Sequence, residues 1–178
     1  MEIEKIFLSG AAFIHLPFSN DNRGEFTKVF HDSTFKKADI DFVLKESYFS
    51  ISNKDVIRGM HFQIPNEDHS KIVFCPQGAI IDVMVDLRKD SPTFKHFFSQ
   101  ELSAANHKAF YIPKGFAHGF KSLTDNTITC YFVSTEYSKN HDTGVRYDSI
   151  GFNWEIANPI ISKRDSEFKE LKDFESPF

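Results

Sequence analysis

Short apolar runs recur along the chain with turn-prone polar clusters between them, and the runs are of strand length. Thr27 to Phe30 follows the turn-prone Asn20-Asp21-Asn22-Arg23-Gly24. Val43 to Ser52 and Val56 to Phe62 flank Asn53-Lys54-Asp55, which reads as a hairpin connection. Lys71 to Cys75 ends at the turn Pro76-Gln77-Gly78, and Ile80 to Arg88 follows with Ile81, Val83, Val85 and Leu87 on one face. The opposite face mixes Ile80 and Met84 with Asp82 and Asp86. Phe97 to Leu102, Lys108 to Ile112, Gly119 to Leu123 and Ile128 to Ser134 continue the series.

Helical signals are confined to the ends. Asp32 or Ser33 caps a short turn through Lys37, and Ser166 to Asp173 has weak helical periodicity. Many short strands with few helices between them predict an all-β, jelly-roll-like sandwich or barrel and argue against a doubly wound α/β fold. No repeat, low-complexity tract or linker interrupts the 178 residues, so one domain over 1–178 is expected.

Composition sharpens this picture at one point. There are 21 Phe against 1 Trp and 5 Tyr, and aromatic side chains favour strands and fill β cores. The net charge of -4 offers no footprint for a nucleic acid backbone, although a small anionic ligand needs only two or three placed cations. Cys75 and Cys130 are too few for a disulfide framework and read as reduced thiols. With no secretory pattern and no long apolar run, a cytoplasmic protein without a membrane span is expected.

Four stretches concentrate chemistry: Asp21 to Phe26, Arg58 to Gln63, Ile112 to Phe120, and Ser162 to Asp165. Singly, each has a plain explanation. A lone strand histidine is most often a hydrogen-bonded structural residue, Arg58 and Lys71 can be solvated charges, and Gly59, Gly115 and Gly119 can serve turns or close strand approach. Tyr131, between Cys130 and Phe132, can be core, and Asp165 can cap the C-terminal turn.

Together the four stretches resemble the dTDP-4-dehydrorhamnose 3,5-epimerase family. The likeness runs from Asp21 to Asp165 through Gly78 to Arg88, Ser91-Pro92-Thr93-Phe94 and Glu101 to Ala104. It implies a cupin-type jelly roll, a homodimer, no metal and no dissociable cofactor. The implied substrate is a nucleotide-diphosphate 4-keto sugar, used in deoxysugar and bacterial surface polysaccharide (lipopolysaccharide) biosynthesis.

By the resemblance, His61 abstracts the protons at carbon 3 and carbon 5, and Asp165 holds its far nitrogen. Lys71 lies against the 4-keto oxygen and stabilises the enolate, while Tyr131 returns a proton from the opposite face. Arg58 and His118 match residues contacting phosphate or sugar, and Tyr137 matches a tyrosine near the sugar. Arg23 and Phe26 match the segment meeting the nucleotide, with Phe26 facing the base.

Three departures from the family bear on the substrate. Lys28 stands where many members carry Glu; an ammonium cannot accept the ring N–H of thymine but suits an acceptor such as cytosine presents, which raises a CDP-linked alternative. In Glu46-Ser47-Tyr48-Phe49-Ser50, Tyr48 stands where Asn is common, and Phe132 follows Tyr131 where Lys is common. Such a bulkier, less polar wall suits a different sugar, including a dideoxy or heptose form, or inversion at one centre only.

Two other classes compete. A metal-dependent cupin oxygenase needs histidines that His61, followed by Phe62 and Gln63, does not supply; a three-His site with His69 and His118 would have Lys71 beside it. A non-catalytic sugar-nucleotide module would normally have lost one of His61, Lys71, Tyr131 or Asp165, and a ketoisomerase of this fold carries a different set.

Overall fold

The alternation of inward and outward residues builds two antiparallel sheets facing one another, in a computed structural model that describes residues 1–178. In chain order the strands are β1 (Glu2–Lys5), β2 (Ala12–His15), β3 (Phe18–Asp21), β4 (Gly24–Thr27), β5 (Glu46–Ser52), β6 (Ile57–Gln63) and β7 (Lys71–Gln77). They continue with β8 (Ala79–Asp86), β9 (Phe97–Ser103), β10 (Lys108–Ile112), β11 (Phe116–Ser122), β12 (Thr127–Val133) and β13 (Asp142–Gly144). One six-stranded sheet runs β1-β2-β10-β7-β12-β5 and one five-stranded sheet runs β13-β6-β11-β8-β9, while β3 and β4 form a separate hairpin. This is the predicted jelly-roll-like sandwich.

Period two sorts the side chains. On β7, Val73 and Cys75 face the space between the sheets, with Ile80 and Met84 of β8 and Phe116 and Phe120 of β11. The intervening residues are apolar too, because both outer faces are covered. Val83 and Val85 pack outward against Trp154 and Leu171 from the C-terminal segment. Ile72 and Phe74 pack outward against Phe35, Ile40 and Phe42 from and just beyond helix α1 (Asp32–Lys37). The mixed face of β8 points inward, which leaves Asp82 and Asp86 fully buried.

Several expectations need correction. Thr27 to Phe30 is strand only at Thr27, because the Lys28 N–H bonds the Pro17 carbonyl and Phe30 turns in against Phe35 and Phe42. Val43 to Lys45 lies outside β5. The expected hairpin across Asn53-Lys54-Asp55 is absent: β5 pairs with β12 and β6 with β11, so this link carries the chain from one sheet to the other. His31, not Asp32 or Ser33, holds the cap position of α1. Ser166 to Asp173 is not one helix; the turn α2 (Lys163–Ser166) precedes it, capped by Ser162, and a separate 3-10 turn spans Leu171–Asp173. No helix is long and apolar enough to cross a membrane.

A bulge interrupts the β6–β11 ladder between His118 and Phe120, where Gly59 and Gly119 meet. Gly59 has φ +140°, and a Cβ on it would fall 2.5 Å from Gly119 Cα. A Cβ on Gly119 would fall 2.8 Å from the Arg58 carbonyl oxygen and 2.8 Å from Met60 Sδ. The two backbones therefore approach at a distance only glycine permits. Gly119→Ala is expected to cost about 1–3 kcal/mol, the usual penalty of overpacking, read as a lower midpoint in urea unfolding.

Candidate active site

A cavity of about 370 Å³ opens between the sheets. The six-stranded sheet contributes Glu46, Tyr48, Lys71 and Tyr131 to its wall. The five-stranded sheet contributes Arg58, His61 and His118 from β6 and β11, with Asp142 from β13. Tyr137 stands at the mouth, exposed, and its backbone N–H donates to Glu46 Oε2 at 2.6 Å. Eight of the twelve residues expected from the sequence to touch substrate or do chemistry thus line one cavity, and Asp165 stands directly behind His61.

His61 Nε2 and Asp165 Oδ1 are 2.8 Å apart although 104 residues separate them in sequence. The local folding of α2 makes this possible. The Asp165 backbone N–H donates to the Ser162 hydroxyl at 3.1 Å, fixing the turn, and the bulge frees the Gly59 N–H to donate to Asp165 Oδ2 at 3.2 Å. Asp165 is therefore not merely a cap. Burial pushes its carboxyl up, but the bonds from His61, Gly59 and Ser162 outweigh burial and hold it below the usual carboxylate range. The ionised carboxylate accepts a hydrogen bond from Nε2–H, which leaves Nδ1 as the ring nitrogen with a free lone pair.

Lys71 is buried, and its Nζ donates to the His61 carbonyl oxygen at 3.3 Å. Burial pushes its ammonium down to about 8, with Asp142 and Asp82 pulling the other way. Tyr131 is buried on β12, its hydroxyl driven well above the ordinary range by burial and then by the Asp82 carboxylate and Tyr48. Tyr48 lies face to face with it, ring centroids 4.8 Å apart at 22°. His118 Nε2 is 2.7 Å from Asp82 Oδ1. Burial holds His118 below its ordinary range and Asp82 above, because neither charge is solvated there. Arg58 reaches the mouth, its Nε donating to Ser52 Oγ at 3.1 Å.

Three expected nucleotide contacts, Arg23, Phe26 and Lys28, are not in this cavity. All are exposed on or just after the β3–β4 hairpin, and Arg23 pairs with Asp21 at 2.6 Å. Phe132 is not a wall of the cavity either. It points to the opposite side of β12 from Tyr131 and packs edge-on against Phe74 at 5.5 Å.

Asp82 and Asp142 have no role in the sequence reading, and His69 enters it only as a third histidine of a metal site. Asp82 is visible as a carboxylate on the mixed face of β8; Asp142 carries no local signal. His69 lines the cavity and is held neutral, its imidazolium pushed down to about 3 by burial and by Lys71, Lys114 and His118. No three His, Cys, Asp or Glu side chains converge in metal-binding geometry.

Asp165 supplies a pH-dependent term to stability. A carboxyl with a lowered folded-state value stabilises the fold above its unfolded value, and that contribution disappears as pH falls through the folded one. Asp165→Asn is expected to cost about 1–3 kcal/mol at neutral pH, with the gap to wild type closing below about pH 4. Urea unfolding of both proteins across that range checks it.

The family model for dTDP-4-dehydrorhamnose 3,5-epimerase matches residues 5–173. The dTDP-4-dehydrorhamnose 3,5-epimerase of Sinorhizobium fredii is 39% identical over 155 residues, covering 85% of this chain and 80% of its own. That of Methanothermobacter thermautotrophicus is 35% identical, covering 95% of this chain and 94% of its own. The crystal structure of the Bacillus anthracis dTDP-4-dehydrorhamnose 3,5-epimerase, with TDP and PPi bound, matches at a TM-score of 0.92 and 36% identity, covering 96% of this chain and 99% of that one. With a matching fold and sequence, this chain belongs to the dTDP-4-dehydrorhamnose 3,5-epimerase family, isomerases of deoxysugar biosynthesis.

Proposed function

We propose that the chain inverts carbon 3 and carbon 5 of a dTDP-linked 4-keto-6-deoxy sugar, with His61 as base, Lys71 as enolate stabiliser and Tyr131 as acid. The observation that carries this reading is the His61–Asp165 pair at 2.8 Å, set on one sheet while Tyr131 stands on the other. Inversion needs a base and an acid on opposite faces of the same ring, and a cavity walled by two sheets supplies two faces.

His61 Nδ1 takes the proton from the carbon beside the ketone, and Asp165 stabilises the imidazolium that forms. Charge then develops on the 4-keto oxygen. Lys71 spends one N–H on the His61 carbonyl, which leaves two for that oxygen, in a site where burial strengthens every electrostatic contact. Tyr131 holds its proton until the enolate forms, because burial opposes the phenolate. Arg58, His118, Glu46 and Tyr137 are assigned to the phosphates, the sugar and the mouth. The chain uses no metal or dissociable cofactor.

Arg23 and Phe26 are assigned to the nucleotide, yet they do not line the cavity of their own chain. The two statements agree if the hairpin reaches into the cavity of a second copy, making the enzyme a homodimer. Supporting this, Phe26 is 65% exposed, and Phe49 and Ile51, at 64% and 55%, form an uncovered apolar stripe on the outer side of β5. TDP occupies the Bacillus anthracis relative, and the same nucleotide is assigned here. The free thiols of Cys75 and Cys130 fit a reducing, cytoplasmic setting, and the whole chain is assigned to one domain.

Incubation with dTDP-4-keto-6-deoxy-glucose in deuterated buffer is expected to place deuterium at carbon 3 and carbon 5, seen by NMR. His61→Asn is expected to slow this by about 10²–10⁴-fold, the usual contribution of a general base. Unchanged labelling in His61→Asn would remove His61 from that role. The shared site predicts complementation: co-expressed His61→Asn and Arg23→Ala/Phe26→Ala chains regain activity that neither homodimer shows, because one mixed site is intact. Failure to regain it, with mixed dimers present by mass spectrometry, would place the hairpin outside the partner's site.

A further inference from the structure

Tyr48 and Tyr131 are directly paired residues of β5 and β12, so their side chains project from the same face of the sheet into the cavity. Their rings stack at 4.8 Å and 22°, which brings two phenols side by side on the wall opposite His61. Both are held as neutral phenols. Tyr48 is 43% exposed as a whole residue, but the protein around its hydroxyl, with Glu46 and Asp142 nearby, pushes that group up to about 12, and the fully enclosed Tyr131 is driven well above its ordinary range. The reaction at this site has two carbons to reprotonate, placed on either side of one carbonyl.

We infer that Tyr48 is a second catalytic acid, so that the two stacked phenols each return a proton to one of the two inverted carbons. This rests on the reading of the site as an epimerase with His61 as base. In each half of the reaction a C–H bond breaks, its proton passes to His61 Nδ1 and its electron pair forms the enolate. The enolate carbon then takes the proton of one phenol from the opposite face, the O–H bond breaks and the ketone re-forms. His61 releases its proton to water, and the phenolate regains one from water, so no net proton is consumed. With a single phenol, the second inversion waits on that recharging; with two, both protons are in place when the sugar binds.

The test reads product stereochemistry at carbon 3 and carbon 5 separately, from proton coupling constants, for wild type, Tyr48→Phe, Tyr48→Ala and Tyr131→Phe. Tyr48→Phe keeps the stacked ring and removes only the hydroxyl. Loss of inversion at one carbon by about 10²-fold or more in Tyr48→Phe, with the other carbon still inverted and the complementary loss in Tyr131→Phe, is the expected result. Inversion of both carbons at wild-type rates in Tyr48→Phe overturns the proposal. So does an equal fall at both carbons, or loss in Tyr48→Ala alone, since either means that Tyr48 only holds Tyr131 in place. A wild-type enzyme that inverts a single carbon overturns it as well. Labelling that survives in His61→Asn breaks the underlying epimerase reading instead, whatever Tyr48 does.

Discussion

An ammonium group deep between two apolar sheets is costly to hold, and Lys71 sits there with a carbonyl oxygen rather than a carboxylate as its hydrogen-bond partner. An unpaired buried ion loses several kcal/mol of hydration, which the rest of the interior has to offset. Asp82 and Asp142 do so at a distance, drawing the charge back without neutralising it by direct contact. A tight ion pair would stabilise the fold more and leave nothing for a substrate oxygen. The placement of His118 against Asp82, and of a neutral His69 nearby, fits the same requirement: a buried carboxylate faces Lys71 and the adjoining imidazole adds no positive charge.

The sandwich gives this polar pocket its two sides. His61 and His118 are register partners on β6 and β11, and the glycine pair, Gly59 two positions before His61 and Gly119 next to His118, opens the ladder enough to release one N–H to Asp165. The C-terminal segment returns alongside β6, where Ile160 bridges Val56, and its turn delivers the carboxylate. The His61–Asp165 pair is thus built from distant segments and anchored by backbone groups, whereas the Tyr48–Tyr131 stack needs only the register between β5 and β12. Rigid main-chain positioning on one wall and side-chain stacking on the other suit the base and the acids proposed for them.

Much of this was legible in the sequence, for identifiable reasons. Strands β7 to β12 are buried on at least one face, so their alternation was written in apolar residues. Strands β1, β3 and β4 are largely exposed and β13 is three residues long, so solvent left no pattern to find. The misread hairpin at Asn53-Lys54-Asp55 shows that turn chemistry specifies a reversal but not which sheet receives the second strand. Phe132 was placed in the wall by adjacency to Tyr131, and the pleat sends neighbours to opposite faces. Arg23, Phe26 and Lys28 belong to a segment whose place in the site no single chain's sequence or cavity reveals.

Strand β5 has one consequence of another kind. Its inward positions, Glu46, Tyr48 and Ser50, shape the pocket, and its outward ones, Phe49 and Ile51, form the bare apolar stripe. Two different surfaces are therefore encoded on seven residues as interleaved letters. A single inserted or deleted residue would exchange the two sets at one stroke, turning Phe49 and Ile51 into the pocket and Tyr48 out to water. Change in this enzyme's substrate preference is in that sense confined to a narrow evolutionary channel, in which letters are replaced one at a time and the length of the strand is not free to drift.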